Sequence, residues 1–94
     1  MKKILLIDSG VGAISILNEI KKLNNNVDTL VFIDNKNAPF GDKDKDFLCR
    51  TAYDNIITFL NKNDISLIVL ACNTLTVACI EYLRERIDIP IVGT

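Results

Sequence analysis

The sequence predicts an α/β domain: a parallel four-stranded sheet in the order 2-1-3-4 with helices on both faces. Three observations lead there. Short apolar runs alternate with stretches of helical periodicity, so the element order reads βαβαβαβ. The runs are continuous rather than alternating apolar and polar, as in strands covered on both sides. Right-handed crossovers between parallel strands then give 2-1-3-4 as the simplest order.

Lys3 to Ile7 is the first strand, and Asp8-Ser9-Gly10-Val11-Gly12 the turn that ends it. Its glycines allow a ligand to approach the backbone closely. A helix is expected from about Gly12 to Leu23, with Ile14, Leu17 and Ile20 or Lys21 along one side, closed by Asn24-Asn25-Asn26. Thr29 to Ile33 is the second strand. The polar loop Asp34 to Asp46 follows, within which Lys43 to Asp46 reads as a solvated surface segment. Ala38-Pro39-Phe40-Gly41 differs from its surroundings, since it displays an aromatic between a residue that fixes φ and one that frees it. From Phe47 to Leu60 the row Leu48, Ala52, Ile56 and Leu60, flanked by Cys49, Tyr53 and Ile57, is an amphipathic helix. After the turn Asn61 to Asp64 come the third strand, Leu67 to Ala71, a helix ending near Arg86, and a fourth strand over Ile89 to Val92.

The stretch Ser66 to Thr76, SLIVLACNTLT, carries the chemistry. Its apolar run stops at Cys72-Asn73-Thr74. Leu75, Cys79 and Leu83, with a second row at Thr76, Ile80, Leu83 and Ile87, then take helical spacing. Cys72 is thus expected at a strand tip where a helix begins, with Asn73 or Thr74 as N-cap. A helix N-terminus favours a thiolate and can hold a carboxylate or phosphate. In a 2-1-3-4 sheet the strand order reverses between strands one and three, and ligands bind beyond the carboxyl ends at that point. Those strands end in Asp8-Ser9 and Cys72-Asn73-Thr74, so two separate readings meet in one crevice.

Composition removes several classes of function. The 94 residues allow one domain, and 49% hydrophobic with 24% charged residues describes a chain that builds a core. A net charge of -1 and six aromatics offer nucleic acid neither a basic patch nor a stacking platform. No apolar stretch has the length of a membrane span, and the run before Asp8 is too short for a signal-peptide core. Reduced thiols and the absence of a CxxC pair point to the cytoplasm. With no histidine, a zinc site and every Cys–His or Ser–His–Asp scheme fall away, so no metal is expected. Acids at adjacent strand ends, Asp8 and Asp34, would fit a magnesium site of the response-regulator kind. That reading lacks a phosphorylatable aspartate at the third strand, where Cys72 stands.

Three motifs in register, Ile7-Asp8-Ser9-Gly10-Val11-Gly12, Ala38-Pro39-Phe40-Gly41 and Ala71-Cys72-Asn73-Thr74, resemble the N-terminal part of glutamate racemases in the aspartate/glutamate racemase superfamily. The resemblance runs from Ile4 to Thr94. It implies a flavodoxin-like half of a racemase domain, residues 1–94, truncated after the fourth strand. It also implies cofactor-independent interconversion of L- and D-glutamate for peptidoglycan precursor synthesis. Cys72 would match a catalytic base and Asp8 a residue that contacts substrate and assists catalysis. Ser9, Pro39, Phe40, Gly41, Asn73 and Thr74 would match substrate-binding positions, the last two holding a carboxylate. Racemisation at Cα without a cofactor needs a base on one face and a proton donor on the other, roles that a thiolate and a thiol can exchange.

The departures are specific. Ala13 stands where the family usually has glycine, Phe40 where it has tyrosine, and Leu75 where it has a small residue, which would crowd the pocket. The family's second cysteine, in a Cys-Thr-His segment, has no match here, and Cys49 and Cys79 read as core thiols. The expectation is therefore a chain that contributes half a site, completed by a C-terminal half or by a second copy in a homodimer. The alternative is a non-catalytic binding module that oligomerises through an uncovered fourth strand.

Overall fold

The structure, a computed structural model, describes residues 2–8, 12–23, 28–33 and 44–94. Four strands, β1 (Lys3–Asp8), β2 (Asp28–Ile33), β3 (Ile65–Leu70) and β4 (Ile91–Gly93), alternate with α1 (Gly12–Leu23), α2 (Lys45–Lys62) and α3 (Asn73–Arg86). The strands are parallel and ordered β2-β1-β3-β4, the expected topology. Side chains alternate across the two central strands. Leu5, Ile7, Ile68 and Leu70 face α2 and α3 in one core, while Leu6 and Val69 face α1 through Ile16 and Leu17 in a second. The sheet is covered on both faces, which is why Ile4 to Ile7 and Leu67 to Leu70 of its central strands are uninterruptedly apolar.

Several boundaries differ from the sequence expectation, each for a local reason. Helix α2 starts inside the segment expected as a solvated loop. Asp44 adopts extended dihedrals and its carboxylate accepts the Phe47 backbone N–H at 3.3 Å, a side-chain N-cap that lets Lys45 and Asp46 form the first turn while staying exposed. Strand β3 begins at Ile65, since the Lys3 N–H bonds the Asp64 carbonyl at 2.8 Å. Strand β4 begins only after Pro90, which has no N–H to donate but whose carbonyl accepts from the Ile68 N–H at 3.0 Å. On α1, Ile14 is 49% exposed and does not share the buried stripe expected of it. Leu17 faces the sheet as expected, and Ile16 joins it there in place of Ile14.

Between α2 and α3 lie two thiols. Cys49 and Cys79 are buried, with their sulfurs 2.7 Å apart and Cys49 Sγ 3.4 Å from the Ala78 carbonyl oxygen. Burial pushes the Cys79 thiol far above its ordinary value of 9.0, reinforced by the hydrogen bond and charge of Cys49 and opposed by Lys45. The folded chain therefore keeps a proton that the unfolded chain releases above about pH 9, so stability falls as pH rises beyond that point. Melting temperatures between pH 7 and 10.5 should show this decline in the unmodified chain and a shallower one in Cys79→Ala. Parallel declines would remove Cys79 as the cause.

The outer edge of β4 carries its own protection. Ile68 and Thr94 N–H bonds use the Pro90 and Leu70 carbonyls across the β3–β4 ladder, so the Ile91 carbonyl points the other way. Arg84 Nη2 and Nε donate to it at 2.8 and 3.2 Å. An incoming strand would have to displace this guanidinium, a charged edge guard of the kind that suppresses strand-to-strand assembly. Arg84→Ala should self-associate more than the unmodified chain at equal concentration by sedimentation velocity. Identical profiles would show that the edge is protected by something else.

Candidate active site

The candidate site lies at the carboxyl ends of β1 and β3. The Ala71 N–H donates to the Ile7 carbonyl at 2.8 Å, extending the ladder one step past β3. The next residue along each strand is then Asp8 on one side and Cys72 on the other. Asp8 closes β1 and is only 5% exposed, a carboxylate held at the sheet edge. Cys72 is half-buried, with φ −112° and ψ 126°. Both residues sit where strand order reverses, between β1 with its connection to β2 and β3 with its connection to β4.

Helix α3 starts directly behind Cys72, and here one expectation is corrected. Neither Asn73 nor Thr74 is the N-cap. Cys72 keeps strand-like dihedrals and takes that position itself, making no side-chain cap bond, while Asn73 and Thr74 are the first helical residues. The Cys72 carbonyl accepts the Thr76 N–H at 2.9 Å as the first bond of the helix. The N–H groups of Asn73, Thr74 and Leu75 precede that ladder, and Asn73 and Thr74 are exposed at the sheet edge. Such a turn can receive a carboxylate. Leu75 is likewise corrected: it is 1% exposed and packs in the core beneath α2 and α3, so it fills the interior instead of crowding the crevice.

Of the residues read from the sequence as candidate site residues, Asp8, Cys72, Asn73 and Thr74 are brought to this edge. Ser9, Pro39, Phe40 and Gly41, with Asp34, lie outside the described residues. Cys49 and Cys79 are buried against each other between α2 and α3, Cys79 lying seven residues beyond Cys72 along α3. Two residues escaped the sequence reading. Thr76 was counted in a helical row, yet its hydroxyl lies 2.9 Å from the Cys72 carbonyl oxygen and 3.3 Å from that of Leu70. Thr94, at the end of β4, donates its hydroxyl proton to Asn73 Oδ1 at 3.2 Å. The Thr94 contact is unmarked by spacing or composition because it arises only when β4 docks beside α3, whereas the Thr76 hydroxyl reaches carbonyls four and six residues back. Among the described residues no helix is long and apolar enough to cross a membrane.

No family model matches the chain. Single relatives do. A glutamate racemase from Buchnera aphidicola is 39% identical over 89 residues, covering 95% of this chain and 34% of the relative. One from Clostridium novyi is 45% identical over 87 residues, covering 92% and 33%. Among solved structures, the Escherichia coli glutamate racemase in complex with L-glutamate and the activator UDP-MurNAc-ala superposes with a TM-score of 0.91 at 31% identity, over 99% of this chain. The chain resembles glutamate racemases. The glutamate racemase of Aquifex pyrophilus gives a TM-score of 0.87 at 33% identity, again over 97% of this chain and 36% of its own. The four-stranded sheet and its three helices are thus a unit seen within glutamate racemase structures, and the chain spans about a third of the length of the curated relatives it matches.

Proposed function

We propose that the chain is the N-terminal α/β segment of a glutamate racemase-like enzyme and supplies one of the two proton-transferring groups of a cofactor-independent racemisation of glutamate. The observation that carries the reading is the meeting of Asp8 and Cys72 on neighbouring strand ends, with the first turn of α3 beside them. Cys72 would act as the base that removes the Cα proton of glutamate, and Asp8 would assist from the next strand. Asn73, Thr74 and the leading N–H groups of α3 would hold a substrate carboxylate. Ser9 and the Pro39-Phe40-Gly41 segment are assigned to the substrate's remaining polar groups on their place in the motifs alone.

Inversion requires a second group on the opposite face of Cα. Cys72 is the one cysteine that the described residues place at this edge, so the second thiol would come from a further segment or from another copy of the chain. The glutamate racemase structure from Escherichia coli was obtained with L-glutamate, and that of Thermus thermophilus, at 33% identity and a TM-score of 0.86, with beta-chloro-D-alanine. These ligands belong to those proteins and support an amino acid as ligand here. The reading is tested by titrating isotope-labelled chain with L- and D-glutamate. Amide resonances of Asn73 and Thr74 should move together with those next to Asp8, and should move less with glutamine, which keeps the α-carboxylate and lacks the side-chain one. Unmoved resonances at millimolar glutamate would sink the pocket.

A further inference from the structure

We propose that Thr94 is a positioning residue for the candidate carboxylate pocket: its hydroxyl holds the Asn73 side-chain amide with the NH₂ group turned outward as donor. The inference rests on the reading of Asn73 as a carboxylate-binding residue and adds what fixes its orientation. An asparagine amide presents an acceptor on one side and two donors on the other, and only the donor side suits an anion. Asn73 is exposed in the first turn of α3, so burial does not choose between the two orientations. In the structure the Thr94 hydroxyl donates its proton to Asn73 Oδ1 at 3.2 Å, which holds the amide by its oxygen. With the oxygen engaged, the two Nδ2 protons remain for an anion.

The backbone around Thr94 is built to put the hydroxyl there. Its N–H reaches the Leu70 carbonyl at 3.2 Å, continuing the β3–β4 ladder, and lies 3.4 Å from Thr76 Oγ1. The preceding residue is Gly93, and a Cβ at that position would collide with Thr76 Cγ2. The end of β4 therefore runs closer to α3 than any residue with a side chain permits. Thr76 is the hinge of this contact, because its hydroxyl also reaches back to the Cys72 and Leu70 carbonyls. Strand end, helix start and Cys72 are tied through one side chain, and the Thr94 hydroxyl is free of any backbone duty.

The test compares Thr94→Val, which keeps the shape and removes the hydroxyl, with Thr94→Ser, which keeps the hydroxyl. Two readouts are taken on the whole chain. The first is nuclear Overhauser contact between the residue 94 side chain and the two Asn73 Nδ2 protons, which reports the amide orientation without any ligand. The second is the glutamate dissociation constant. In Thr94→Val the Asn73 amide should lose its single orientation and glutamate affinity should fall about tenfold, the effect of one misdirected donor. Thr94→Ser should restore both at an unchanged melting temperature. An amide as well ordered in Thr94→Val as in the unmodified chain would overturn the proposal, and so would a disordered amide with unchanged affinity. Should the unmodified chain bind no glutamate, the pocket reading fails, and the amide readout alone still upholds or overturns Thr94 as the group that orients Asn73.

Discussion

Replacing Cys72 by alanine is expected to lower deuterium incorporation at the Cα of glutamate by roughly 10²- to 10⁴-fold, the range over which a positioned acid or base contributes. The size of the effect follows from what surrounds it. Asp8 stands on the neighbouring strand, but a carboxylate is a far weaker base than a thiolate and cannot take over a proton this reluctant to leave carbon. Cys49 and Cys79 cannot substitute either, since both are buried between α2 and α3 and the Cys79 thiol is held protonated. Cys72 caps α3 without using its side chain, so alanine should leave the fold intact and the melting temperature near that of the unmodified chain. Full retention of exchange in Cys72→Ala would show that the proton is taken elsewhere.

The largest expected loss of stability is at Leu83. It is fully buried in the core that α3 shares with α2 and the sheet. Truncation to alanine removes apolar contact and leaves a cavity, which costs about 2–5 kcal/mol at such sites. A domain of this size has roughly 5–15 kcal/mol to lose. Denaturant unfolding of Leu83→Ala should show that drop, with the melting temperature lower by about 10–30 °C. Val77, six residues earlier on the same helix, is 84% exposed, and Val77→Ala should stay within about 0.5 kcal/mol of the unmodified chain. Equal effects at the two positions would mean that α3 does not pack through the face described.

That contrast also shows what a sequence can carry. Sheet order and the two-faced core were legible because the runs Lys3 to Ile7 and Leu67 to Ala71 are continuous and because connection handedness leaves few alternatives. The rows Leu48, Ala52, Ile56 and Leu75, Cys79, Leu83 were legible for the same reason, periodicity against a single buried face. Cys72 and Asp8 were legible because strand ends at a reversal of order are placed by topology alone. Asp44 was not, since in a run of alternating lysines and aspartates nothing marks which carboxylate will meet a backbone N–H. Ile14 looked like part of a stripe because helical spacing does not say which of two adjacent apolar rows meets the sheet. Thr94 reaches Asn73 across 21 residues of chain, which no local pattern encodes, whereas Thr76 bonds carbonyls only four and six residues back.

The central claim is that this chain carries one working base of a two-base site. It is tested most directly by incubating D- and L-glutamate separately with the chain in D₂O and following both Cα deuteration by NMR and enantiomer content by chiral chromatography. A single base removes the Cα proton and returns a deuteron to the same face, so deuteration without inversion is expected at low protein concentration. Inversion rising faster than linearly with concentration would mean that two copies complete the site. Inversion that scales linearly with concentration would contradict the account, because one chain would then hold both groups, and absence of deuteration above the Cys72→Ala control would contradict it from the other side.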